Sequence, residues 1–435
     1  MSKSPREGLL WEDSGLDLEP RWRSELSLEA IKRVCQRTLQ LDAPDDCAVS
    51  FLAAGAFNRL YLVEDSRQQK FVIRISLPVD PHYKTAGEVA TLRWLKRHSD
   101  IPVSRVTAFD DSDSDEIGFE WILMQLMPGT SAYQQWRKLT LETKKALVEN
   151  IAEYHAQLFK TSAFRTIGTL KDDNLSISTR TTPGRIVSRM FFWGPHFDYD
   201  IPRGPFRSSH DWLKSFITII LQDHTTEIKE AEDEEDKEDA EYSLRVAQML
   251  ADLLPKIFLS IQNPPERTVL WHDDLSLQNI MIDDKGAITA VIDWECVSAM
   301  PLWVATQMPK FLCGEDRAEE PRRDQYGNET PEDVAARQET DYDNGLDNEG
   351  KNGLFWIHLM EYEQTQLRKV YSDRMSRLWT GWDEAVADGA LKADFFGAVV
   401  RCADGFSLKR IEAWVAAINR GEFHRLADTL RPTFP

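Results

Sequence analysis

Three side chains suited to moving a phosphoryl group stand close together about two thirds of the way along the chain: Asp274, Asn279 and Asp293. They belong to the run V-L-W-H-D-D-L-S-L-Q-N-I-M-I-D-D-K-G-A-I-T-A-V-I-D-W-E at residues 269–295, which contains the pattern H-x-D-L-x-x-x-N. Asp274 and Asn279 are five residues apart, and Asn279 and Asp293 fourteen, with a strand, a D-D-K-G turn and a second strand between them. A tight hairpin of this kind returns its two ends to one side. Phosphoryl transfer needs such a set: one carboxylate to orient an attacking hydroxyl and take its proton, and an amide with a second carboxylate to hold the metal that neutralises the phosphates. Calcium is the other chemistry open to paired carboxylates and an amide, but the spacing and glycine of an EF-hand are missing. The alternative without chemistry is a turn-rich hairpin whose polar residues are caps.

The elements that must position this run follow from periodicity. Residues 27–40 place apolar side chains at helical spacing and predict a leading helix. Cys47-Ala-Val-Ser-Phe-Leu and Leu60-Tyr-Leu-Val, joined through A-A-G-A-F-N, predict a hairpin, and Lys70-Phe-Val-Ile-Arg-Ile-Ser a third strand. Thr85–His98 reads as a helix with Val89, Leu92 and Leu95 on one face, and 118–127 as a further strand closed by Pro128-Gly129. These form a small β-rich lobe over residues 45–127, preceded by an extension at 1–44. From residue 128 to 435 the pattern is mainly helical: 141–159, 211–224, 243–261 and 354 onward. Residues 161–211 read as loop, and short strands are expected at 268–271, 279–282 and 287–292. The fold class is α+β, and no internal repeat is present.

The net charge is −20, but 226–241 and 315–351 each carry −8, leaving about −4 for the rest. The charge therefore belongs to two acidic insertions, read as a solvated helix extension and a mobile loop. No basic stripe exists to neutralise a nucleic acid backbone, so nucleic acid is not expected as a partner. No apolar run approaches the about 18 residues of a membrane span. The first residues lack a signal peptide's apolar segment and carry acids that a mitochondrial presequence avoids, so a cytoplasmic protein with no membrane partner is expected. Five cysteines without a C-x-x-C pair read as buried free thiols, not as a disulfide framework or zinc site.

The 269–295 run resembles the catalytic and metal-binding loops of the aminoglycoside phosphotransferase family, which shares the protein-kinase-like fold with choline kinases. Its form is similar to that of the fungal members. V-S-A-M-P-L-W after Asp293, with R-G-P-F and D-W-L at 203–213, extends the likeness over roughly 45–312. The resemblance implies a two-lobed fold, ATP and Mg2+, and a small hydroxylated acceptor. It makes Asp274 the catalytic base, Asn279 and Asp293 the magnesium ligands, and His272 the brace of the loop. Asp273 stands where the family often has glycine, and Trp294 where protein kinases have Phe-Gly. In the small lobe Gly55 takes the nucleotide-loop position, with Asn58 beside it as a phosphate contact. Arg74 takes the place of the phosphate-pairing lysine and Glu88 that of its helix partner; an edge-strand salt bridge and a solvated helix residue are the plain alternatives. Gln125 to Met127 resembles the hinge whose backbone binds adenine.

Trp193, Phe197 and Tyr199 are candidates for lining an acceptor pocket, although aromatics in a long loop more often anchor it. Glu295 and Asp211 are candidate contacts for a cationic acceptor. His155 reads as a core or rim residue. A protein kinase is excluded, since H-R-D, D-F-G, A-P-E and G-x-G-x-x-G are all absent. Two readings stand: an active small-molecule kinase, and a nucleotide-binding pseudokinase acting through protein interaction, which Arg74 and the single glycine favour. Oligomeric state and the acceptor's identity are not legible.

Overall fold

The computed structural model describes residues 6–15, 17–42, 46–173, 180–261, 265–339 and 346–430. β1 (Leu9–Asp13) and β2 (Leu18–Trp22) form an antiparallel hairpin, followed by α1 (Leu28–Leu39). Then come β3 (Cys47–Ala54), β4 (Asn58–Asp65), β5 (Lys70–Ser76), α2 (Tyr83–His98), β6 (Val106–Asp110) and β7 (Glu120–Gln125). The strands make one antiparallel sheet of order β3-β4-β5-β7-β6. Alternation gives the sheet two faces. Tyr61, Val63, Ile73 and Ile75 pack against Ile31 and Val34 of α1. Val72, Ile122 and Met124 pack on the other face against Val89 of α2. Arg74, in register with Leu60 and Ile122, stands on this second face.

The second lobe begins with β8 (Thr130–Ser131), α3 (Ala132–Gln135) and α4 (Leu141–Thr161), then β9 (Gly168–Asp173), β10 (Arg180–Pro183) and α5 (Arg189–Phe192). A helical pair follows, α6 (Ser209–Glu230) and α7 (Glu234–Ile257), then β11 (Thr268–Trp271), β12 (Ile280–Ile282), β13 (Ile288–Val291) and β14 (Ser298–Pro301). The remainder is helical: α8 (Leu302–Ala305), α9 (Pro331–Glu339), α10 (Gly353–Leu378), α11 (Trp382–Ala403), α12 (Leu408–Asn419) and α13 (Leu426–Leu430). The two lobes meet where residues 293–295, just after β13, face β5 and α2. β8 pairs with β12, so the strand leaving the first lobe is stitched to the β12–β13 hairpin. Gly129 permits this: its φ is +103°, and a Cβ there would lie 2.5 Å from the Ile282 carbonyl oxygen. On the other side Gly87 lets α2 approach β9, where a Cβ would meet Thr169 Cγ2 at 2.6 Å.

Three features depart from the sequence expectation. The first acidic run is helical at both ends, but it is divided: α6 stops at Glu230, and α7 starts at Glu234 with Asp233 as N-cap. Glu234, Glu235 and Asp236 fill the first turn of α7, where the helix dipole favours acids. The second acidic segment contains α9 and is docked, not a simple loop: Arg137 donates to the Asp347 carbonyl at 2.9 Å, and Trp356 Nε1 to that of Asn348 at 3.0 Å. Its residues 340–345 lie outside the described residues, as does the end of the chain after 430. Finally, β1, β2, β6, β8, β9, β10 and β14 appear where no strand was expected. L-E-P-R-W and G-T-L-K-D-D lack β patterning, and these strands form through their partners.

The β1–β2 hairpin touches both lobes. Trp22 meets Phe119 edge-on at 5.0 Å between ring centroids and receives the Arg59 guanidinium on its face. Trp11 meets Trp193 at 4.9 Å, Trp193 Nε1 donates to Asp17, and Arg6 donates to the carbonyls of Phe192 and Gly194.

Candidate active site

The β12–β13 hairpin lies inside the 269–295 run, as its spacing predicts. Before β12, Asn279 Nδ2 donates to the Asp274 main-chain carbonyl at 2.8 Å and lies 3.5 Å from Asp274 Oδ2. With its amide nitrogen so engaged, the Asn279 side-chain oxygen is left as an acceptor or ligand. After β13, the Ile292 N–H donates to the Asn279 carbonyl at 3.0 Å, which ties the start of the Asp293 segment to the Asp274–Asn279 loop. His272 is buried, and its Nε2 lies 3.1 Å from the Ile292 carbonyl. Burial lowers its pKa against the opposing pull of that carbonyl, so the neutral ring donates through Nε2. Asp293 adopts φ of +64°, unusual for a residue with a Cβ, and this turns its carboxylate toward the first lobe.

Across the cleft Arg74 is buried and paired with Glu88 of α2, and its Nη1 lies 3.6 Å from Asp293 Oδ1. A second cation enters one helical turn before Glu88. Lys84 is 2% exposed; its Nζ lies 2.6 Å from Glu295 Oε2 and donates to Asn58 Oδ1 at 2.8 Å. Asn58 Nδ2 donates to the same Glu295 oxygen at 2.8 Å, and Ser76 Oγ to Asn58 Oδ1 at 2.9 Å. Burial alone would raise the Glu295 pKa, but Lys84 and Arg74 outweigh it and hold the group ionised. Asp293 moves the other way: burial in the cleft and the nearby Glu295 charge raise it, although a third of its side chain meets solvent. A cation supplied beside Asp293 would reverse that shift.

The structure thus joins Arg74, Glu88, Asn58 and Asp293 on one side, and His272, Asp274 and Asn279 on the other. Gly55 stands at the exposed β3–β4 turn, where its N–H donates to the Asn58 carbonyl at 2.9 Å. Gln125 is exposed at the end of β7 with its N–H on the Arg105 carbonyl, and Met127 is half-buried just beyond. The Asn58 side chain is committed to the interlobe network. So is Glu295, which is spent on Lys84 and is not presented to an acceptor. Asp211 lies in the first turn of α6, beside a cavity of about 540 Å³ that Arg203 and Lys214 also line. Trp193 is held by Trp11 and Asp17, Phe197 lies beneath Arg6, and Tyr199 donates to Asp223 at 2.8 Å, so all three anchor their loop.

Sequence reasoning missed Lys84, Ser76 and Lys310. Lys84 carried a signal, since it lies four residues before Glu88 and therefore on the same helix face. Lys310 carried none: it is 36 residues beyond Asp274, yet its ammonium contacts Asp274 Oδ1. Among the described residues no group of three His, Cys, Asp or Glu side chains could hold a metal by itself. An Asn279–Asp293 pair completed by phosphate oxygens fits magnesium, which binds through one or two carboxylates with its other ligands from water and phosphate. No helix among the described residues is long and apolar enough to cross a membrane.

A model of the phosphotransferase enzyme family (APH) matches residues 48–304, well over half of the chain. A subtelomeric hrmA-associated cluster protein of Aspergillus fumigatus is 26% identical over 313 residues, covering 62% of this chain and 61% of the relative. The clavilactone A biosynthesis cluster protein Y of Ampulloclitocybe clavipes is 25% identical over 236 residues, covering 54% of each. The chain thus spans between half and two thirds of the length of these relatives. Among solved structures, the gentamicin complex of APH(2″)-IIa has a TM-score of 0.45 at 12% identity, covering 94% of this chain and 100% of the other. The ethanolamine kinase of Plasmodium vivax has a TM-score of 0.39 at 15% identity, covering 93% and 88%. With the family model matching residues 48–304, a span that contains the β12–β13 hairpin, the chain belongs to the phosphotransferase enzyme family.

Proposed function

We propose that this protein transfers the γ-phosphoryl group of ATP to a hydroxyl of a small molecule. The observation that carries the reading is the catalytic hairpin, in which Asn279 is bonded to Asp274 on one side and linked through Ile292 to Asp293 on the other. Asp274 accepts the proton of the acceptor hydroxyl as its oxygen bonds to the γ-phosphorus. The bond from that phosphorus to the β-bridging oxygen breaks, and ADP leaves with the electron pair. Asn279 and Asp293 would hold magnesium, which supplies charge neutralisation at the phosphates. Arg74, kept in place by Glu88, presents its guanidinium to the same region. Leu60, Val72 and Met124, sharing a face with Arg74, offer the apolar surface for adenine. The charged groups described in the cleft set no preference for a cationic acceptor, because Glu295 is already neutralised.

Calorimetry with Mg-ADP separates the two carboxylates. Asp274→Ala should bind Mg-ADP nearly as the parent does, while phosphoryl transfer falls by about 10²–10⁴-fold. Asp293→Ala should weaken Mg-ADP binding itself. Equal loss of affinity in both folded variants would remove Asp274 from the role of base, and no binding by the parent chain would remove the reading as a whole.

A further inference from the structure

The described residues place three cations at the site, and two of them are immobile. Arg74 and Lys84 are buried, and each is held by carboxylates or amides on more than one side. Lys310 differs. Its side chain is 60% exposed, and its ammonium caps Asp274 Oδ1. Its backbone is nevertheless fixed to the catalytic loop. Lys310–Leu312 form a 3₁₀ turn in which the Phe311 N–H donates to the Leu275 carbonyl at 3.0 Å. From α10, Gln364 donates to the Phe311 carbonyl at 2.9 Å and Arg368 to that of Leu312 at 2.8 Å. The segment is thus a rigid mount carrying one movable charge.

Resting on the phosphotransferase reading above, we propose that Lys310 is a further catalytic residue: it caps Asp274 before nucleotide binds and crosses to the γ-phosphoryl oxygens when Mg-ATP is in place. Asp274 has two oxygens, and one neighbour stands at each: Asn279 near Oδ2 and Lys310 on Oδ1. The carboxylate is half-exposed and keeps free lone pairs, so a hydroxyl can reach it, and the lysine on Oδ1 is a partner it can exchange. Asn279 is held by its bond to the Asp274 carbonyl, so the lysine is the group that moves. The distance is short. A hydroxyl bonded to the base lies about 3 Å from it, and the phosphorus it attacks about 3–3.5 Å further on. An ammonium already touching the carboxylate therefore reaches those oxygens by a rotamer change. Charge favours the move, since the incoming γ-phosphoryl oxygens carry negative charge within reach of the lysine. Lys310 stays protonated throughout, and its role is to stabilise charge on the transferring group.

Calorimetry on the full chain with Mg-ADP and Mg-AMP-PNP tests this, because only the second carries a γ-group. Lys310→Met should bind Mg-ADP within about twofold of the parent but Mg-AMP-PNP about tenfold more weakly, the loss expected for one charged hydrogen bond. Lys310→Arg should recover most of it. Asp274→Asn, which frees the lysine, should tighten Mg-AMP-PNP relative to Mg-ADP, and adding Lys310→Met should cancel that gain. Unchanged Mg-AMP-PNP affinity in Lys310→Met, or equal weakening toward both nucleotides, would overturn the proposal and leave the phosphotransferase reading standing. A parent chain that binds neither nucleotide would remove both.

Discussion

Lys84 and Glu295 form an ion pair at 2.6 Å in a setting where neither charge can readily return to water. Removing one partner from such a pair leaves the other buried and unmatched, at a cost of about 3–5 kcal/mol. Lys84→Met should therefore lower unfolding stability by about that amount, and Lys84→Met with Glu295→Gln should regain most of it. Denaturant titration of both variants decides the matter; a single variant as stable as the parent would show that Glu295 finds enough support in Arg74 and Asn58. This residue-scale network was only half legible in the sequence. Asp274, Asn279 and Asp293 could be read because a hairpin of local contacts connects them. Asn58, Ser76, Lys84 and Glu295 meet only when β4, β5, α2 and the second lobe converge, and Lys310 reaches Asp274 through a turn that no motif marks.

His155 shows how an element junction responds to acid. It lies inside α4, buried, with Nδ1 2.7 Å from the Tyr371 hydroxyl of α10. Burial, reinforced by the nearby His272, lowers its pKa to about 3. The unfolded chain takes up this proton near 6.5 and the folded one does not, so the unfolded state binds more protons between those values. Stability is complete above 6.5 and declines as pH falls, by about 1.4 kcal/mol per unit. Asp80, raised to about 6 by burial despite Arg185, works in the opposite sense, since its folded form holds a proton that the unfolded chain has released. The useful measurement is thus a difference. His155→Gln, which keeps an acceptor for Tyr371, should lose about 2 kcal/mol less than the parent between pH 6.5 and 5. Parallel pH profiles would rule the assignment out. The hinge is the other sensitive junction. Gly129→Ala, with a positive φ and no room beside Ile282, should destabilise by about 1–3 kcal/mol through the β8–β12 pairing, as read by thermal unfolding. The Pro128-Gly129 stop was legible as a turn, but its contact with the catalytic hairpin was not.

At the scale of the whole molecule, the two lobes were visible in the order of strands and helices, whereas the hairpin that joins them was not. Its strands are short, charged and interrupted by Pro20, and it is held by aromatic and arginine contacts to residues remote in sequence. Excising residues 6–23 should lower the melting temperature by about 5 °C or more and expose the segment around Trp193 to proteolysis. An unchanged melting temperature would mean that the cleft interactions alone hold the lobes together.

The same hairpin sets a delay during synthesis. Arg6 waits for Phe192 and Gly194, which follow it by 186 and 188 residues. At translation rates of about 5–20 residues per second, that interval is on the order of 10–40 s. Throughout it Trp11 lacks the ring it packs on, and for about its last third, once residue 127 has been made, the first lobe is complete in sequence but open on one side. Aggregation or chaperone binding at this stage would act on the hairpin before the Asp274–Asn279 loop, more than 75 residues further along, has been made.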